Sequence, residues 1–173
     1  TVEFYAQFAD VMVLARELTL DQVKSIVREI KRKNIVGPSG KPVRIEIFAH
    51  GALCMAVSGK CYLSLHTNFS SANRGACIQN CRRNYVVIDK ESGTELEIDN
   101  EYIMSAKDLC TIDFIDKILD TGVCVLKIEG RGRSEDYVYT TTKCYREAID
   151  SFYEKSYSKE KADQWKIKLS TVF

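Results

Sequence analysis

The feature that most constrains this chain is a set of short apolar stretches with helical patterning between them. The run VMVLA, residues 11 to 15, has no polar alternation, as expected of a strand buried on both faces. Thr19 and Gln22 then have the spacing of a capping box, and Val23, Ile26, Val27 and Ile30 follow at helical intervals. These residues predict an amphipathic helix over 20–33. Turn chemistry in NIVGPSGKP, 34 to 42, leads into a second strand, VRIEIFAHG, 43 to 51. There Ile45, Ile47 and Ala49 are expected on one face, and Glu46, Phe48 and His50 on the other. A short helix over 112–120 stops at Gly122, and a third buried strand, VCVLKIE, spans 123–129. Ser134 caps a last long helix with Val138, Tyr145, Ile149 and Phe152 on its apolar face.

Strand–helix alternation of this kind implies an α/β fold with a parallel sheet and right-handed crossovers. Each predicted strand ends on polar groups: Arg16 and Glu17, then His50, then Lys127, Glu129 and Arg131. Barrels of the (β/α) type place their chemistry at that end. Too few strands are present to close one, so the expected architecture is a partial barrel-like sheet, with an open α/β sheet as the second choice. The chain opens on TVEFYAQFAD without a Met, and is expected to be a fragment lacking the N-terminal half of its own barrel. Residues 1–154 form the C-terminal half of the barrel domain in this reading, with a cysteine-rich region over 51–84, an inserted β-hairpin over 85–99 and a helical tail over 155–173.

Composition narrows the function classes. The 173 residues carry a formal net charge of +1, so no global field draws the chain to nucleic acid, and any such contact is a local patch. No apolar run approaches the roughly 20 residues of a membrane span. Glu3, Gln7 and Asp10 near the start do not read as a secretion signal, and a cytoplasmic setting without membrane contact is expected.

Seven cysteines, an odd number at loose spacing, argue against a secreted disulfide framework. Cys124 and Cys144 lie in apolar periodic segments and read as buried structural thiols. Cys54, Cys61, Cys77 and Cys81 crowd together and read as one metal-binding set. Thiolates suit zinc or an iron–sulfur cluster. Zinc favours tight pairs, and only Cys77 and Cys81 are that close in sequence. The wider first pair suits a larger cluster, although zinc and plain redox thiols stay open on spacing alone. Glycines 51, 59 and 75 accompany the set, either for close approach to a cofactor or as simple turn residues.

The run EIFAHGALCMAVSGKCYLS from Glu46 to Ser64 resembles the signature of peptidase family U32, the collagenase-like protease family. Further matches are ANRGAC (72–77), CRR (81–83), SAKDL (105–109) and LKIEGR (126–131). The resemblance covers about residues 4 to 150 and looks nearest to the branch that hydroxylates tRNA. It implies a [4Fe–4S] cluster on Cys54, Cys61 and Cys77, with Cys81 as fourth ligand and Cys110 in reserve; a piece handled in air is expected to lose it. It also implies oxygen-independent hydroxylation of tRNA uridine, ribosomal RNA or a ubiquinone precursor; the leading expectation is tRNA wobble uridine as substrate, 5-hydroxyuridine as product and prephenate as the source of the donor.

Arg74, Arg82 and Arg83, with Tyr85, are candidates for RNA contact, against the plainer reading of a solvated surface. Glu46 and His50 are candidates to orient substrate or move a proton, and Glu129 and Arg131 to line the substrate site. Asp108 reads equally as an ordinary carboxylate in a turn. The alternative function is a peptidase acting on collagen or another protein. No HExxH zinc motif is present, and Ser58 and Ser64 lack a visible His/Asp constellation. A cysteine nucleophile, Cys54 or Cys61 with His50 or His66, would be needed instead. A non-catalytic structural or redox-sensing cluster protein is the third class.

Overall fold

A computed structural model describes residues 1–96 and 102–172. In chain order it contains α1 (Val2–Tyr5), β1 (Val11–Val13), α2 (Leu20–Arg32), β2 (Arg44–Gly51), α3 (Leu63–Asn68), β3 (Val87–Ile88), β4 (Glu95–Leu96), β5 (Leu109–Cys110), α4 (Ile115–Leu119), β6 (Val125–Glu129), α5 (Glu135–Tyr153) and α6 (Lys159–Ser170). The chain divides into two compact units, Thr1–Ala52 with Asp108–Phe173, and Leu53–Lys107.

The first unit is an α/β sheet covered by helices. β2 pairs in parallel with β1 and with β6. Glu46 is in register with both Val13 and Val125, so β1 and β6 lie on opposite edges of β2. Beyond the end of β1 the short β5 joins antiparallel, with Cys110 opposite His50, an addition that strand–helix alternation did not predict. The sheet is open among the described residues: β1 and β6 each pair with β2 alone. Parallel α/β topology is thus present, without closure into a barrel.

The helices follow from local chemistry. Thr19 and Gln22 form the expected capping box, with the Thr19 hydroxyl accepting from Gln22 N–H and the Gln22 side chain accepting from Thr19 N–H. Val23, Val27 and Ile30 of α2 then reach the core beside Ile45, Ile47 and Ala49 of β2 and Ile112, Ile115 and Ile118. Burying each such side chain is worth about 1.5–3 kcal/mol. α6 begins at a Ser158 cap and adds Ala162, Trp165 and Leu169 to the same core.

Several expectations are corrected. β1 is shorter than the predicted strand, and Val13 is 46% exposed, so it is not buried on both faces. Every residue of β6 is only half-buried, because helices cover one face of this open sheet. On α5 the buried face is Tyr137, Thr141, Cys144, Tyr145 and Ala148, while Val138 points out. Cys144 is buried, but Cys124 sits exposed just before β6.

A register shift between Phe48 and His50 in the β2–β6 pairing is a further correction. A bulge reverses the alternation of side chains beyond it. Glu46 and Phe48 therefore share a face with Lys127, whereas His50 turns to the opposite side and packs on Tyr137 and Tyr145 of α5. Gly51 follows with φ 108°, and a Cβ there would stand 2.1 Å from the Glu129 carbonyl oxygen.

The second unit holds α3, two 3₁₀ turns (Ala72–Arg74 and Asn80–Arg82) and the β3–β4 pair. The hairpin turn forms around the Asp89 carboxylate, which accepts from Glu91 N–H, Ser92 N–H and the Ser92 hydroxyl. Positions 97–99 of the expected hairpin lie outside the described residues.

Candidate functional site: strand ends and a cysteine unit

At the C-terminal end of β2, the Tyr145 hydroxyl donates to the Ala49 carbonyl at 2.8 Å and accepts from Thr111 N–H at 3.0 Å. Its one proton is thereby used. The 3.3 Å contact to His50 Nδ1 is then satisfied by an Nδ1–H tautomer, which leaves Nε2 as the acceptor. Burial pushes the His50 pKa down, Arg133 acts in the same direction, and Asp108 opposes them. Burial likewise drives the Tyr145 hydroxyl upward. His50 is therefore a neutral group built into the core, away from Glu46, and the two do not act from one strand face as expected.

The remaining predicted strand-end residues fall into ion pairs. Glu46 meets Lys127 at 3.5 Å, and the Lys127 ammonium also lies over the Phe48 ring. Lys127 and Glu129 do not pair with each other. The Glu129 carboxylate instead accepts from Arg131 through its guanidinium, at 2.9 Å to each oxygen, and through its backbone N–H. This bonding holds the Glu129 carboxyl below its ordinary range. Asp108 is not an ordinary turn carboxylate: its side chain is 6% exposed and it binds Arg133 at 2.6 Å, with that guanidinium stacked over Tyr137. The sequence signal for Arg133 was its place beside Glu129 and Arg131; Asp108 had no signal, because a partner 25 residues away leaves no local pattern.

Cys54, Cys61, Cys77 and Cys81 all belong to the second unit, and all are free thiols. Burial raises the Cys81 pKa, and negative charge at Cys54, Cys77 and Cys61 raises it further, against Arg82. Among the described residues, however, no three His, Cys, Asp or Glu side chains are drawn together around one metal ion. Four soft thiol donors in one unit fit, by donor chemistry, either an iron–sulfur cluster or zinc. Cys110 lies in the first unit, on β5.

Local bonding positions these cysteines. Ser64, buried on α3, accepts from Ile78 N–H at 3.2 Å, and the Ser70 hydroxyl donates to the Ala76 carbonyl at 2.7 Å, so Cys77 is bracketed. Gly75, φ 86°, takes the left-handed turn before it. Arg82 donates to the Leu53 carbonyl at 3.3 Å, tying the Cys81 turn back to the residue before Cys54. Arg74 and Arg83 are exposed, Arg82 is half-buried, and Tyr85 donates to the Asn80 carbonyl at 2.7 Å. Asn80 was not foreseen. It is 3% exposed, its amide donates to Thr67, and its Oδ1 has no partner.

One sequence signal was available and unused: residues 47 to 88 contain no Asp or Glu, while Lys60, Arg74, Arg82 and Arg83 fall inside that stretch. The predicted acidic neighbours of a neutral, solvated surface are missing there.

The model of the family described as peptidase family U32 matches residues 1–173. The chain belongs to this family. Among its relatives, it is 62% identical to a protein named collagenase from Porphyromonas gingivalis over 99% of this chain and 42% of that protein. It is 39% identical to the tRNA hydroxylation protein P1 of Bacillus subtilis, over 83% of this chain and 32% of that protein. It is 38% identical to the 23S rRNA 5-hydroxycytidine C2501 synthase of Escherichia coli, over 83% of this chain and 20% of that protein. The chain thus spans less than half the length of these U32 relatives. No solved structure matches it. Among the described residues no helix is long and apolar enough to cross a membrane.

Proposed function

We propose that this chain is the cluster-carrying part of a U32 RNA hydroxylase that works without dioxygen, with a [4Fe–4S] cluster on Cys54, Cys61, Cys77 and Cys81. One observation carries this reading. The second unit has no buried apolar side chain among its described residues, yet it holds four free thiols. A unit without a core needs a staple, and a metal cluster on those thiols supplies one.

When bound, the cluster supplies electron-transfer chemistry that a chain of ordinary side chains lacks. The chain's own residues do the rest. Arg74, Arg82 and Arg83 engage phosphates from a segment free of carboxylates. Glu129 fixes the orientation of Arg131, whose side chain is 91% exposed and places a cation at the end of β6. His50 holds the bulged strand to α5 and stays neutral, a positioning residue in this scheme. Relatives named tRNA hydroxylation protein P1 and 23S rRNA 5-hydroxycytidine C2501 synthase support an RNA substrate. In this reading the substrate is tRNA wobble uridine, the product 5-hydroxyuridine, the setting the cytoplasm and the co-substrate prephenate.

The 62% identity to a protein named collagenase favours a second reading, proteolysis of collagen or another protein. Its geometry is less favourable. The Ser64 hydroxyl is buried in a structural bond to Ile78, and His50 is enclosed by α5. Mass spectrometry of tRNA from a strain lacking the full-length protein separates the two. Loss of wobble 5-hydroxyuridine, restored by the wild type but not by Cys77→Ala, is the expected result. Unchanged wobble uridines reject the tRNA reading, and collagen cleavage that survives Cys77→Ala and Cys81→Ala establishes the peptidase.

A further inference from the structure

Phe69 combines two unfavourable features in one residue. It caps α3 with φ 54° and ψ 25°, the left-handed conformation for which glycine is the usual choice. Its side chain is also 91% exposed, the most exposed of the large apolar side chains among the described residues. The helix end does not require a ring here. Phe69 N–H bonds the Leu65 carbonyl and Ser70 N–H bonds the Ser64 carbonyl, and a glycine would make both bonds without strain. A strained backbone that holds an aromatic ring in solvent points to a partner outside the chain.

The surroundings select the partner. Phe69 lies midway through the stretch 47–88, which has no Asp or Glu and carries Lys60, Arg74, Arg82 and Arg83. Within that stretch no carboxylate accompanies the four cations, a local pattern that suits a polyanion. The ring is also held firmly near the cysteines. Ser64 and Ser70, on either side of it in sequence, bond Ile78 N–H and the Ala76 carbonyl, which flank Cys77. Ring stacking is the sequence-tolerant way to hold an unpaired base where basic side chains take the phosphates.

We infer that Phe69 is the platform on which an unpaired RNA base stacks as the strand passes the cysteine unit. This rests on the RNA reading above and names a residue that the sequence did not point to.

The test uses the full-length protein with its cluster intact, a fluorescein-labelled hairpin RNA with an unpaired loop, and a fully paired duplex as control. Phe69→Gly is expected to weaken loop binding roughly 10-fold, while Phe69→Trp retains it. Duplex binding, carried by the arginines, stays unchanged, and the melting temperature of Phe69→Gly stays level or rises because the strain is relieved. Unchanged loop affinity in Phe69→Gly overturns the inference. So does a lowered melting temperature, which would mean that the rest of the chain covers the ring. Collagen-peptide binding that falls in Phe69→Gly while RNA binding holds also overturns it, by placing a polypeptide on the ring. A wild-type protein that binds neither RNA overturns the RNA reading itself.

Discussion

The two units of this chain are stabilised in opposite ways. The first buries a continuous apolar cluster, from Ala6 and Val23 through Ile45, Ile115 and Trp165 to Leu169. In the second, Ser64 and Asn80 are the buried residues among those described, and Met55, Val57, Tyr62, Phe69, Val86 and Ile88 are exposed. Hydrogen bonds such as Tyr85 to Asn80 and Ser70 to Ala76 order it, but each is worth only about 0.5–1.5 kcal/mol net. The contrast teaches that one unit is folded by exclusion of water, while the other has no such core among its described residues and, in the reading proposed above, depends on what its thiols hold.

That contrast is open to direct challenge. The largest effect is expected from removing the metal. Chelation, or Cys77→Ser, should leave residues 53–107 open to limited proteolysis while the first unit stays protected, and a uniformly protected chain after complete metal loss would break the comparison. Next, Ile115→Ala empties a site with 0% exposure and should destabilise the first unit by about 2–5 kcal/mol in urea melts. Iron content per chain should not change, and iron loss in parallel with stability would show that the units are not independent in this sense.

The smallest effect concerns pH. His50 has a folded pKa below its ordinary value of 6.5, so between those two values the unfolded chain binds more protons than the folded one. Its contribution is therefore fully favourable above pH 6.5 and is lost as pH falls below that value toward the folded pKa. His50→Gln should flatten this acid-side slope in urea melts between pH 7.5 and 5, and an unaltered slope would mean that His50 is not buried in its neutral form.

The first unit was the more legible in sequence because its signals are local. The capping box at Thr19 and the spacing of Val23, Val27 and Ile30 each need only a few residues to be seen. What was missed is non-local. The β5 addition arises from residues 60 positions away from β2, and the bulge before His50 leaves no mark in an alternating pattern. In the cysteine unit, composition marked soft ligand types and placed Cys54, Cys61, Cys77 and Cys81 in one unit, but spacing does not choose between zinc and iron–sulfur. Asn80 and Phe69 were hidden for another reason: an amide without a partner and a ring in solvent are failures of pairing, and a sequence records residues rather than the contacts they lack.

Gly51 carries a last consequence. Because the Glu129 carbonyl oxygen occupies the space that any Cβ would need, that missing methyl sets how closely β6 lies against the end of β2. The position of the Glu129–Arg131 pair is fixed by the same contact. A mutational tolerance scan would score Gly51 as though it were a reactive residue, yet it has no side chain to react. Its intolerance would measure a distance between two backbones.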